Sequence, residues 1–164
     1  MRTVLAEPLD AQAFSPFGEV FGPPAQPGRA YFDGPLGDDR PAARPSLSVV
    51  HTLPAALPLR VTHLERHPFS SQSFVAMDGA RWLVIVCPHA AGGGPDTAAV
   101  RAFIAAPGQG VTYRRDTWHH SLTVLERPAA HAILMWCDGT SGDEEILAVE
   151  PFNIVVPSLP TLSS

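Results

Sequence analysis

The sequence predicts an all-β fold, a barrel or double-sheet jelly roll preceded by one short N-terminal helix. Eighteen prolines and 13 glycines among 164 residues demand many turns. Short apolar runs of strand-forming residues recur between those turns, and almost no segment keeps the period of an amphipathic helix. The length fits a single domain over residues 1–164, large enough to bury a core without disulfide or zinc staples.

Taken in order, Met1 to Pro8 holds an apolar run too short for a signal segment and broken by Glu7, and no stretch is long enough to span a bilayer. Asp10 is placed to cap a helix over Ala11–Phe14, which Pro16 must end. Residues 22–45, rich in Pro, Gly, Asp and Arg, read as a long irregular loop. Tyr31 and Phe32 within it lead us to expect a packed lid over the barrel mouth. Strand-like runs follow at Leu47–Thr52, Leu59–Leu64, Ser73–Ala76, Trp82–Val86, Val100–Ile104, Gly110–Arg114, Trp118–Leu125 and His131–Cys137. Gly92–Gly94 lacks the Lys-Ser/Thr and helix of a phosphate loop and reads as a hairpin loop. Residues 157–164 read as a frayed tail or an arm crossing a partner subunit.

A net charge of -5 and a pI near 5.7 speak against nucleic acid or an anionic membrane as partner, since each requires a basic face. A small molecule is the expected ligand. Cys87 and Cys137 each lie in an apolar run, where a small buried thiol is ordinarily found, so a reducing cytoplasm is the expected compartment.

The residues that carry chemistry cluster in two stretches. Strand alternation puts His63, Glu65 and His67 on one face, with Leu64 and Arg66 on the other. A helical zinc-protease reading fails, because Glu65 does not directly follow the first histidine and Pro68 ends any helix. His67, Gln72 and His119, with Glu65 as a fourth, offer imidazole, amide and carboxylate donors. They either ligate a divalent metal such as Ni, Mn or Zn or form a metal-free hydrogen-bonded cluster. His119 and His120 are adjacent, so on a regular strand only one points inward. Trp118 is expected on the outer sheet face, against a neighbouring element or subunit, and Tyr113 either donates its hydroxyl to a substrate oxyanion or packs in the core.

The two stretches resemble the paired motifs of a cupin barrel. Glu65, His67, Gln72 and Gly79 fall at the offsets of the first motif, with Gln72 in place of its glutamate. Gly108, Arg114, Asp116, His119 and Thr123 occupy the positions of the second, which selects His119 rather than His120 for the pocket. More specifically, Glu65 to Phe74 and Pro107 to His120 resemble hallmark segments of the ureidoglycolate lyase family. The likeness runs from Phe14–Val20 through Arg101–Phe103 to about Leu134. It implies a cupin-like β-barrel, a homodimer, an association with a divalent metal such as nickel, and cleavage of (S)-ureidoglycolate to glyoxylate and urea in allantoin breakdown.

That chemistry needs one base and one acid. His119 or Glu65 can take the C2 hydroxyl proton, while His67 or a bound metal stabilises developing negative charge. Gln72 and His120 are candidate substrate contacts, and Arg29, Arg40, Arg44 or Arg115 can meet the carboxylate. Two other readings of the same barrel stand beside this one. The first is a metal-dependent oxygenase or isomerase. The second, towards which Gln72 leans, is a non-catalytic barrel that binds small acids.

Overall fold

The structure, a computed structural model, describes residues 1–157, so the expected tail or arm beyond Pro157 lies outside the described residues. In chain order the strands are β1 (Arg2–Leu5), β2 (Glu7–Pro8), β3 (Gly18–Phe21), β4 (Arg44–Thr52), β5 (Leu59–Arg66), β6 (Gln72–Ala76) and β7 (Trp82–Cys87). They continue with β8 (Arg101–Ala105), β9 (Gly110–Tyr113), β10 (Trp118–His119), β11 (Thr123–Val124), β12 (Ala129–Cys137) and β13 (Glu145–Val155). The one α-helix among the described residues, α1 (Ala11–Phe14), starts where Asp10 accepts a hydrogen bond from the Ala13 amide, and it stops before Pro16. Among the described residues no helix is long and apolar enough to cross a membrane.

These strands form the expected all-β, cupin-like jelly roll. One sheet runs β1-β13-β5-β10-β7-β8-β2, with β11 also on β7, and the other runs β3-β9-β6-β12-β4. The larger sheet is rolled, because β1 pairs with β13 at one end and β2, separated from β1 only by buried Ala6, pairs with β8 at the other. Two cores follow from strand alternation on β7. Trp82, Val84 and Val86 face the space between the sheets and pack with Phe14, Phe74, Phe103 and Tyr113. Leu83, Ile85 and Cys87 face the other way, into the roll, and pack with Val61, Leu64, Trp118, Phe152 and Ile154. Being buried on both faces, β7 reads as a continuous apolar run.

Four expectations are corrected. The run Trp118–Leu125 is not one strand; it breaks between β10 and β11, where the Ser121 hydroxyl turns to Glu65. The irregular segment ends two residues early, at the start of β4. Within it Phe32 packs on Phe21, with ring centroids 5.7 Å apart, but Tyr31 stands 72% exposed rather than against apolar surface. Trp118 is fully buried inside its own chain, with its indole N–H donated to His89 Nδ1 at 3.2 Å.

Candidate active site

Register assembles the site. On the larger sheet His119 of β10 lies directly opposite Glu65 of β5, and on the smaller sheet Gln72 of β6 lies directly opposite Tyr113 of β9. The two pairs meet where the Tyr113 and His119 rings stack, 4.3 Å between centroids and 17° between planes. His67, just past the end of β5, closes the group with its ring 5.5 Å from that of His119. Ligand atoms of Glu65, His67 and His119 all lie within 4.8 Å of one another.

Both imidazoles are aimed by the main chain. His67 Nδ1 donates to the Asp143 carbonyl at 2.7 Å, and His119 Nδ1 donates to the Thr117 carbonyl at 2.9 Å. A carbonyl can only accept, so each ring carries a proton on Nδ1 and, in its neutral form, presents a bare Nε2 to the centre. Neither Nε2 has a hydrogen-bond partner, and neither does Gln72 Oε1, although all three atoms are buried. Glu65 completes the set: its Oε2 accepts from the Ser121 hydroxyl at 2.7 Å, and its Oε1 lies 3.3 Å from His119 Nε2. Four acceptors thus converge with no donor between them. Buried acceptors in this arrangement call for a cation or a proton, so the donor set fits a divalent ion of the kind that imidazole and carboxylate bind.

Electrostatics follow the geometry. Burial pushes the Glu65 carboxyl up, but the pull of His119 once its Nε2 carries a proton, the charge of His67 when protonated and the Ser121 hydroxyl outweigh that and leave it at about 2. Burial, helped by the neighbouring His119, pushes His67 down, so its ring favours the neutral form that binds metal or accepts a proton. Burial also pushes the Tyr113 hydroxyl up, keeping the stacked ring neutral.

The other expected residues lie apart from this centre. His120 turns to the Ser121 carbonyl and the Thr123 hydroxyl, at 3.0 and 3.1 Å. His63 is exposed and bonds Thr62; the β13 bulge between Ala148 and Phe152 faces this part of β5 and interrupts the alternation expected of it. Arg29 bonds the exposed Tyr31 hydroxyl, Arg115 pairs with Asp39 at 2.9 Å, and neither shares a hydrogen bond or ion pair with the cluster. Arg40 is engaged by Asp38, Asp138 and Asp143, and Arg44 by the carbonyls of residues 41–43. A cavity of about 590 Å³ lined by Phe17, His89, Arg101, Arg114 and Arg115 contains none of the four converging residues.

Sequence reasoning missed Ser121, which fixes Glu65, and Asp143 and Thr117, which aim the imidazoles through their carbonyls. A main-chain carbonyl has no residue signature, so only the fold could reveal the last two.

The family model for ureidoglycolate lyases matches residues 1–155. The chain belongs to the ureidoglycolate lyase family. It is 37% identical over 166 residues to the ureidoglycolate lyase of Mesorhizobium japonicum, covering 96% of this chain and 100% of that protein. It is 35% identical over 171 residues to that of Chelativorans sp. (strain BNC1), covering 96% and 99%. With the ureidoglycolate lyase of Pseudomonas aeruginosa it shares 36% over 139 residues, covering 77% and 79%. Membership in the ureidoglycolate lyase family therefore extends over the segments that carry Glu65, His67, Gln72 and His119.

Proposed function

We propose that the protein cleaves (S)-ureidoglycolate to glyoxylate and urea in the cytoplasm, as a step of allantoin and purine breakdown. The observation that carries this reading is a buried cluster of convergent acceptors, built on the histidine-bearing segments of a family whose members are named for that reaction. The reaction rearranges one substrate without oxidant, reductant or water. The C2 hydroxyl gives up its proton, its oxygen forms the glyoxylate carbonyl, and the C2–N electron pair leaves with the urea nitrogen, which takes a proton.

One group in contact with both substrate atoms can move that proton. His119 suits the role, because Thr117 holds its Nδ1–H and leaves Nε2 free to receive the hydroxyl proton and return it to nitrogen. Glu65, ionised and 3.3 Å away, stabilises the imidazolium formed in between, and Tyr113 keeps the ring in plane by stacking. His67 and Gln72 orient the substrate's polar atoms. His120 supports the same turn through Ser121. We assign the substrate carboxylate to Arg115 and Arg29 on condition that they leave their present exposed, exchangeable partners and turn towards the cluster, since the carboxylate is carried by the same C2 as the hydroxyl at His119.

A second reading rests on the same acceptors. Glu65, His67 and His119, with Gln72 as a fourth, would hold a divalent ion such as Ni, Mn or Zn, which when bound supplies Lewis-acid polarisation of substrate oxygens. A coupled assay of urea and glyoxylate on chelator-treated protein, with and without each ion, tests both readings. Turnover without metal supports proton transfer by His119; turnover only on reloading supports the metal-bound form. No turnover under either condition overturns the lyase reading.

We also propose a homodimer, formed through the outer face of the smaller sheet. There Leu47 and Val49 of the edge strand β4 are 72% and 62% exposed, and register sets Val49 beside Ala132 and Val75. The second copy would cover this apolar surface and the free strand edge together. Sedimentation of Val49→Lys should show monomer where the unaltered chain shows dimer; a monomeric unaltered chain overturns it.

A further inference from the structure

Asp116 has φ 67°, a left-handed backbone that glycine adopts freely and most side chains resist. It sits in the turn between β9 and β10, and that turn touches both imidazole-bearing segments. The Asp116 N–H donates to the His67 carbonyl at 2.9 Å. The carbonyl of the next residue, Thr117, accepts the proton of His119 Nδ1.

The unfavourable backbone is held by side chains that take no part in the reaction centre. Asp116 Oδ1 accepts from Arg66 at 2.7 Å, and the Asp116 carbonyl accepts from His89 Nε2 at 2.7 Å. Arg66 is fixed in turn by Glu145, at 2.6 and 2.8 Å, and lies over the Trp118 ring, 4.7 Å from its centroid. Trp118 closes the circuit by donating its indole N–H to His89 Nδ1. Arg66, Asp116, His89 and Trp118 therefore form one connected ring of contacts behind the two catalytic histidines.

We infer that Asp116 is a positioning residue: its left-handed turn, held in place by Arg66 and His89, fixes the separation and tautomers of His67 and His119. The inference rests on the reading of the His67–His119 cluster as the reaction centre, but its test does not depend on turnover alone. It assigns the work to the backbone conformation and makes the Arg66 ion pair the device that lets a non-glycine residue adopt it.

Asp116→Gly and Asp116→Ala both delete the carboxylate, yet only glycine takes the left-handed backbone without strain. Three readouts apply to each: kcat and KM for ureidoglycolate, Ni²⁺ affinity of chelator-stripped protein by calorimetry, and the imidazole tautomers of His67 and His119 by long-range ¹H–¹⁵N NMR. We expect Asp116→Gly to stay near the unaltered protein. Asp116→Ala should lose about 5- to 30-fold in kcat or in Ni²⁺ affinity, the population penalty of a left-handed L-residue, with mixed tautomers. Equal losses in the two variants, or no loss in Asp116→Ala, would overturn the inference.

Arg66→Gln keeps the test decisive where Asp116→Ala does not fold. It should disturb the tautomers in the Asp116 protein and leave them unchanged in the Asp116→Gly background; equal disturbance in both overturns the inference. Should the unaltered protein turn over no ureidoglycolate while the tautomers still respond in this pattern, the positioning role stands and the lyase reading alone falls.

Discussion

His67 and His119 on one side of the interior, and His131 on the other, are nearly sealed from solvent at 4%, 1% and 0% exposure, yet their rings are held differently. The first two each spend Nδ1 on a main-chain carbonyl and keep a bare Nε2 aimed at a shared point. His131 has no partner on either nitrogen and stands edge-on to Trp82, 5.1 Å between centroids, as a phenyl ring would. Burial alone therefore does not distinguish the histidines of the candidate site from His131. What distinguishes them is a carbonyl that holds Nδ1, together with further acceptors facing Nε2.

The comparison breaks most sharply on catalysis. His119→Ala should lower kcat by about 10²- to 10⁴-fold, the usual share of a general acid–base group, with the fold intact by circular dichroism. His131→Phe should turn over at the unaltered rate. A rate lost in His131→Phe, or kept in His119→Ala, would erase the distinction. Cation binding comes next. His67→Ala should weaken Ni²⁺ binding by at least the roughly 10- to 100-fold that loss of an outer-shell partner costs, whereas His131→Phe should bind Ni²⁺ as the unaltered chain does. Equal titration curves for all three proteins would show that the convergent nitrogens hold no metal. A smaller effect separates binding from chemistry: Arg115→Gln should raise KM by about 2- to 5-fold without changing kcat, as fits an exposed guanidinium worth under about 1 kcal/mol.

Much of the fold was legible in the sequence, and the remainder has physical reasons for its silence; the different setting of His131 was not legible, because it depends on which groups the fold brings to its ring. The runs that became β4 to β9 and β12 announce themselves by apolar, β-branched stretches between turns, and the helix by Asp10 and Pro16. Strand β13 is the longest, yet Pro151 interrupts it at the bulge between Ala148 and Phe152 and hides it from a local reading. The two- and four-residue strands β1 to β3 owe their existence to pairing with distant segments rather than to their own composition. At the site, the likeness to the paired cupin motifs was what gathered Glu65, His67, Gln72 and His119; strand alternation alone reached only His63, Glu65 and His67. The Arg66–Asp116–Glu145 contacts join three separate segments, and nothing local announces them.

The stability of the two regions offers the finest test. Burial pushes the His131 ring's pKa down, and the charge of Asp78 offsets this only in part. Above the unfolded value of 6.5 both states carry a neutral ring, and pH has no leverage through this residue. Below 6.5 the unfolded chain takes up a proton that the native core refuses, so stability falls with pH until the lowered native value is passed. His131→Phe removes both the titration and two unpartnered buried nitrogens. It should gain on the order of 1 kcal/mol at neutral pH, where only the unpartnered nitrogens count. Its advantage should then widen as urea melts are repeated from about pH 7 to about pH 5, across the ordinary histidine range. A constant gap between the two proteins over that range would mean that the native core accommodates the charged His131 as readily as water does, and the burial argument would fail with it.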